Sequence, residues 1–219
     1  MILLIDCSPA MQQPGENGDT SFANVIKLAA SFVKDKIIHS RNDQIGVCLY
    51  NTRTSQNNSG FNGIHVYIPL DEPSANMIMQ IEQLTDKGQQ EGVFERDIGT
   101  GDGKSCQLSQ SLWACSSMFA ESNLKNSFKR IFLFTNNDDP CENDPDQAEK
   151  TRLKNEDLKG LEITLELFPM SRQEGPKFDV LKYWANIIEV DEDESGRSHA
   201  LHILCNNPNK PTNSSNISV

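Results

Sequence analysis

Along the chain, short apolar runs alternate with longer stretches in which apolar residues recur every three or four positions. "ILLI" (2–5) is apolar at every position, as in a strand buried on both faces. "TSFANVIKLAASFVKDKIIHS" (20–40) sets Phe22, Val25, Ile26, Ala29, Phe32, Val33 and Ile37 on one helical face, with Asp19 or Thr20 available to cap it. "QIGVCLYN" (44–51) and "GIHVYIPL" (63–70) read as strands joined through the turn "SQNNSG" (55–60), so one of them runs antiparallel to the rest. "PSANMIMQIEQLTD" (73–86) is a helix opening at Pro73, with Ile78, Ile81 and Leu84 on one side. After a polar, glycine-rich loop (87–105), a helix centred on 111–122 stacks Leu108, Leu112, Cys115 and Phe119. "RIFLFT" (130–135) is another buried strand, followed by the turn-rich "NNDDPCENDPD" (136–146). A polar helix (147–160) stops at Gly160, "LEITLELFPM" (161–170) is a strand, and "FDVLKYWANIIEV" (178–190) a last helix with a strand-like end. Trp113 and Trp184 fall at apolar helical spacing and are expected in the core.

This order predicts an α/β fold: a doubly wound, mostly parallel sheet with helices on both faces. The expected domain is 1–190. Residues 191–219 then form an acidic linker, a candidate strand (198–205) and a low-complexity, disordered tail (206–219).

Composition narrows the function. No run of 18 apolar residues exists, so no membrane-spanning helix and no membrane partner are expected. "MILLIDCSPAM" runs from four apolar residues straight into Asp6, which reads as a strand rather than a leader peptide. The net charge of −11, with the acidic run "EVDEDE" (189–194), argues against this chain holding nucleic acid by itself. The six cysteines form no C-x-x-C pair and no zinc spacing, and are read as free, reduced and intracellular. Three N-x-S/T triplets (Asn57, Asn213, Asn216) read as chance occurrences.

Two stretches invite chemistry. "GTGDGKS" (99–105) ends like a phosphate-binding loop. That loop needs G-x-x-x-x-G-K-S/T, which puts its first glycine at residue 98, and residue 98 is Ile. "QQEGVFERDI" (89–98) before it is no buried strand, and "RIFLF" ends in Thr135-Asn136 rather than in a magnesium-holding Asp. The expectation is a surface loop leading into a helix over 106–122, capped by Ser105 or Ser109. The second stretch is "DCSPA" at the end of the first strand. D-x-S-x-S there would offer a carboxylate and two hydroxyls to a hard cation, as in the metal-dependent adhesion site of von Willebrand factor A domains. Here Asp6 and Ser8 remain, Ala10 replaces the second hydroxyl, and Asn136 replaces a later Asp; Asp138 and Asp139 are the substitutes to consider. The site reads as degenerate, and no metal or other cofactor is expected. His39, His65, His199 and His202 complete no ligand set, and no catalytic residue is identified. Helix 147–160, with only Ala148, Leu153 and Leu158 for a core, is a solvated face or a docking surface; Arg152, Lys154, Glu156 and Asp157 are the docking candidates.

"FTNNDDPCEND" (134–144) after "KRIFLF", "LDEPSANMIMQIEQL" (70–84) with "GQQEG" (88–92), "LSQSLWACSSMF" (108–119), "IDCSPAM" (5–11) and "HSRNDQIGVCLYNT" (39–52) together resemble the Ku family. The similarity is to the N-terminal von Willebrand factor A-like domain of its seventy-kilodalton subunit and runs in consistent order over 2–190. It implies a nuclear role in DNA double-strand-break repair by non-homologous end joining and in telomere maintenance. The implied partners are the eighty-kilodalton Ku subunit, the DNA-dependent protein kinase catalytic subunit, ligation factors, and double-stranded DNA ends bound through the full heterodimer. The Ku ring would follow this domain. The family is often credited with ATP-dependent helicase activity, for which no motif stands here, so a non-enzyme is expected. The alternative is a metal-dependent adhesion or ligand-binding A-type domain.

Overall fold

The computed structural model describes residues 1–188, apart from 16–17, 40–42, 86–91, 104–106, 123–126, 143 and 171–176. Among the described residues five strands form one sheet in the order β3-β2-β1-β4-β5. β1 (Ile2–Asp6) is central and parallel to both β2 (Ile45–Tyr50) and β4 (Lys129–Thr135), and β5 (Ile163–Pro169) continues the parallel set beyond β4. β3 (Ile64–Asp71) pairs antiparallel with β2, as the hairpin pattern predicts.

Strand alternation distributes β1 to two cores. Leu3 and Ile5, with Val47 and Leu49, meet α1 (Ser21–His39) and α2 (Ala75–Gln83) through Phe22, Val25, Ile26, Met77 and Ile81. The opposite face carries α3 (Leu108–Glu121), which contacts β1, β2 and β3, and α4 (Pro145–Gly160), which contacts α3 and β5. The sheet is therefore covered on both faces. Thr20 Oγ1 accepts from the Ala23 amide at 3.0 Å and caps α1.

Several sequence expectations are corrected. α2 begins at Ala75: Ser74 is its cap, accepting from the Met77 amide at 3.2 Å, and Pro73 lies outside. The loop after α2 contains a π-helical turn (Phe94–Ile98), and Phe94 and Ile98 are each 1% exposed. Phe94 lies with its ring centroid 4.5 Å from that of Phe22, so this segment belongs to the core. α3 starts behind Gln107 with no side-chain cap; Ser109 is inside the helix and Ser105 is outside the described residues.

Trp113 is 51% exposed, because the buried face of α3 runs through Leu108, Leu112, Cys115 and Phe119 and leaves position 113 outside. Trp184 is fully buried as expected, but 178–188 forms two 3-10 turns, Val180–Lys182 and Trp184–Asn186, rather than one helix, and the strand-like end expected at 189–190 lies outside the described residues. α4 buries Thr151, Lys154, Asn155 and Leu158, while Leu153 is exposed. Cys7, Cys48 and Cys115 are free and buried, whereas Cys141 is disulfide-bonded, which corrects the all-reduced reading. The expected linker, strand and tail over 191–219 lie outside the described residues.

Candidate functional site

The carboxyl ends of β1, β2 and β4 bring Asp6, Asn51 and Thr135 together, where ligands bind in open α/β sheets. Asp6 is 1% exposed. Its Oδ1 accepts from the Ser8 amide (2.8 Å) and from Asn51 Nδ2 (2.9 Å). Its Oδ2 accepts from the Thr135 hydroxyl at 2.7 Å. Thr135 Oγ1 in turn accepts from the Asn137 amide at 3.0 Å. Burial raises the Asp6 pKa, and the hydrogen bonds from Thr135, Asn51 and Ser8 act against that rise.

This arrangement does not fit a divalent cation. A metal-bound carboxylate turns its lone pairs to the ion, but those of Asp6 accept three donors from the protein itself. Asn136 Nδ2 donates to the Ala10 carbonyl at 2.9 Å, so two replaced ligand positions bond to each other. Asp138 and Asp139 both face Lys182 Nζ, at 3.6 and 3.7 Å, and Asp138 Oδ2 accepts from the Asp179 amide. Among the described residues no three His, Cys, Asp or Glu side chains are grouped to hold a metal. Asn51 was not legible from sequence. Its φ of +58° is a conformation that asparagine tolerates better than most residues, and that is the one signal it carried.

The glycine-rich loop is likewise committed to the protein. The Gly99 amide donates to Phe94 O (2.6 Å) and the Gly101 amide to Asn51 O (2.7 Å). The Arg53 amide donates to Gly99 O at 2.8 Å, and Thr52 bridges Thr100. A Cβ on Gly101 would stand 2.8 Å from Asn51 O, so glycine is required for this close approach. Two amides that a phosphate cradle would present are thus spent in pinning the loop to the segment after β2. Lys104 and Ser105 lie outside the described residues.

Of the docking candidates, Arg152 is held by Glu149 at 2.8 Å and by Glu156, which raises its pKa and lowers that of Glu149. Glu156 and Asp157 are exposed. Lys154 points inward: it is 9% exposed, its Nζ lies 4.3 Å from the Trp113 ring centroid, and Asp157 is 4.0 Å away. Burial lowers its pKa. The candidates therefore divide into an outward ridge of Arg152, Glu156 and Asp157 and a lysine packed beneath the half-exposed Trp113.

Fold and site together define a von Willebrand factor A-like α/β domain in which a hydrogen-bonded cluster stands where the adhesion metal site would be. The family described as "Ku70/Ku80 N-terminal alpha/beta domain" matches residues 1–201. Over 195 residues the chain is 38% identical to "X-ray repair cross-complementing protein 6" of Mus musculus, covering 89% of this chain and 31% of that protein. It is 34% identical over 205 residues to "ATP-dependent DNA helicase ku70" of Dictyostelium discoideum, covering 89% and 22%. With "ATP-dependent DNA helicase 2 subunit KU70" of Arabidopsis thaliana it shares 30% over 215 residues, covering 89% and 34%. The chain belongs to the Ku N-terminal family, on the side of the seventy-kilodalton subunit, and spans between 22% and 34% of the length of these relatives.

Proposed function

We propose that this domain serves as the partner-contact module of a Ku subunit in DNA double-strand-break repair by non-homologous end joining and in telomere maintenance, acting in the nucleus. Its heterodimer partner is the eighty-kilodalton subunit. DNA ends are held by the heterodimer and not by this domain alone. The carrying observation is the cluster around Asp6, where the protein's own donors take up the carboxylate that an adhesion-type domain would offer to a metal. The committed loop at Gly99–Gly101 supports a role without ATP chemistry in this domain, and the net charge of −11 supports leaving DNA to the rest of the assembly.

The test is fluorescence anisotropy of an end-labelled duplex with this chain alone, at low and near-physiological salt. No binding is expected; tight, end-dependent binding overturns the division of labour. Within the module, the outward ridge of α4 is the surface for the kinase catalytic subunit or ligation factors. Arg152→Glu alone is expected to weaken end joining in cells while leaving heterodimer assembly unchanged and lowering the melting midpoint by only a few degrees, as two exposed helix ion pairs become repulsions. Unimpaired joining would remove α4 from the interface.

A further inference from the structure

Cys48 of β2 and Cys115 of α3 are both free, and both are 0% exposed. The register of the packing brings them together. Residues 46 and 48 share one face of β2, and residues 115 and 118 share one side of α3. A Cβ on Gly46 would stand 2.8 Å from Met118 Cε, so this face of the strand looks onto this side of the helix at close approach. α3 leads into β4, which is parallel to β1 and so to β2; the helix therefore runs against β2. Stepping up the strand from Gly46 and back along the helix from Met118 sets Cys48 against Cys115. Burial first, and then the Cys48 thiol beside it, push the Cys115 thiol well above its ordinary pKa.

The third free thiol among the described residues is otherwise placed. Cys7 donates to the Ile5 carbonyl at 3.7 Å and belongs to the core cluster on the α1 side. Cys48 and Cys115 are thus each other's neighbours across the second core, where both stay protonated and shielded while the domain is packed. They stand about 67 positions apart in the chain, so a bond between them would close a long loop of the unfolded state.

We propose that Cys48 and Cys115 form an oxidation site, which hydrogen peroxide converts to a disulfide that pins α3 to β2. The reaction starts when α3 lifts from the sheet and one thiol meets the oxidant. That sulfur takes one oxygen from the peroxide and becomes a sulfenic acid, releasing a first water. As the helix repacks, the second sulfur attacks the first, the S–O bond breaks, and a second water leaves with the remaining thiol proton. Two electrons pass from the sulfurs to the peroxide. The packed domain resists the oxidant, and a domain that has opened is closed by the bond. The site lies in the core and is independent of the α4 ridge.

The experiment treats the full chain with hydrogen peroxide in urea concentrations below the unfolding transition. Free thiols are then capped with N-ethylmaleimide in denaturant, and the chain is mapped by mass spectrometry without reduction. The expected product is a peptide pair joining Cys48 to Cys115, formed faster as urea populates the opening. After urea is removed, dithiothreitol should lower the melting midpoint of the oxidised chain. That drop should be about 10 °C larger than in Cys48→Val carried through the same steps. The difference separates the new bond from the disulfide at Cys141. Maleimide on both Cys48 and Cys115 after exhaustive oxidation, a link from either to another cysteine, a rate indifferent to urea, or no difference in melting from a folded Cys48→Val each overturns the proposal. The mapping needs only the native chain, so it decides the matter even where the variant does not fold.

Discussion

At the scale of single residues, Asp6 is held by three hydrogen bonds from the protein itself. It sits at the end of the central strand, is buried, and holds Asn51 and Thr135 in place by accepting from both. Asp6→Ala leaves those donors without their acceptor and is expected to cost about 3 kcal/mol in chemical denaturation. The pH dependence follows from the raised pKa. Between the ordinary carboxylate value and the raised one, the folded state keeps a proton that the unfolded chain has lost. Asp6's contribution is thus greatest at acid pH and declines as pH rises through that window, a slope that Asp6→Asn should remove. Magnesium makes the complementary test: it should not raise the melting temperature beyond a sodium control of equal ionic strength, and a clear rise would mean that the cluster opens to a cation.

Among the elements, α3 and α4 are where sequence pattern and structure part company. Lys154 lies under Trp113 rather than on the outer ridge. Lys154→Met, which keeps the aliphatic stem, is expected to leave stability within about 1 kcal/mol, since a buried charge is replaced by an apolar group of similar volume. Lys154→Glu should destabilise by about 2 kcal/mol, because it sets an anion against the electron-rich indole face. A joint reversal of Arg152 and Lys154 would therefore confuse docking with folding, and Arg152→Glu alone separates them.

The continuous apolar runs of β1, β2 and β4 and the regular spacing of α1 were legible because burial alone dictates them. α4 was not, because its inward face is polar. Asn155 donates to the Ile187 carbonyl, and Thr151 bonds back to Gln147 O. No hydropathy pattern marks residues buried for their hydrogen bonds. Phe94 and Ile98 were hidden for the opposite reason: two apolar residues within charged neighbours look like a loop until the π-helical turn brings them inward. At the site, Ala10 and Asn136 announced the lost metal ligands, but Asn51 is contributed by a different strand and only the fold brings it to Asp6.

For the molecule as a whole, family membership and charge point the same way. The domain accounts for between 22% and 34% of the length of these relatives, and its net negative charge suits it to protein contacts. The anisotropy measurement speaks to this scale, since it asks whether the domain holds DNA when it stands alone. The outward ridge of α4 is the surface proposed to meet other proteins, and Arg152→Glu tests it.

Trp184 has a consequence for how this domain can be cut. Its indole is fully buried and its Nε1 donates to Asn137 O at 3.0 Å, just beyond β4. Lys182 and Ile187 on either side are tied to Asp138 and to Asn155. Although the last described strand ends at Pro169, a fragment stopping there would expose the seat of a tryptophan and strand the polar inner face of α4. The smallest autonomous piece is thus fixed by a clasp lying after β5, and a protease that trims from that side should meet resistance first at the 3-10 turns and not at β5.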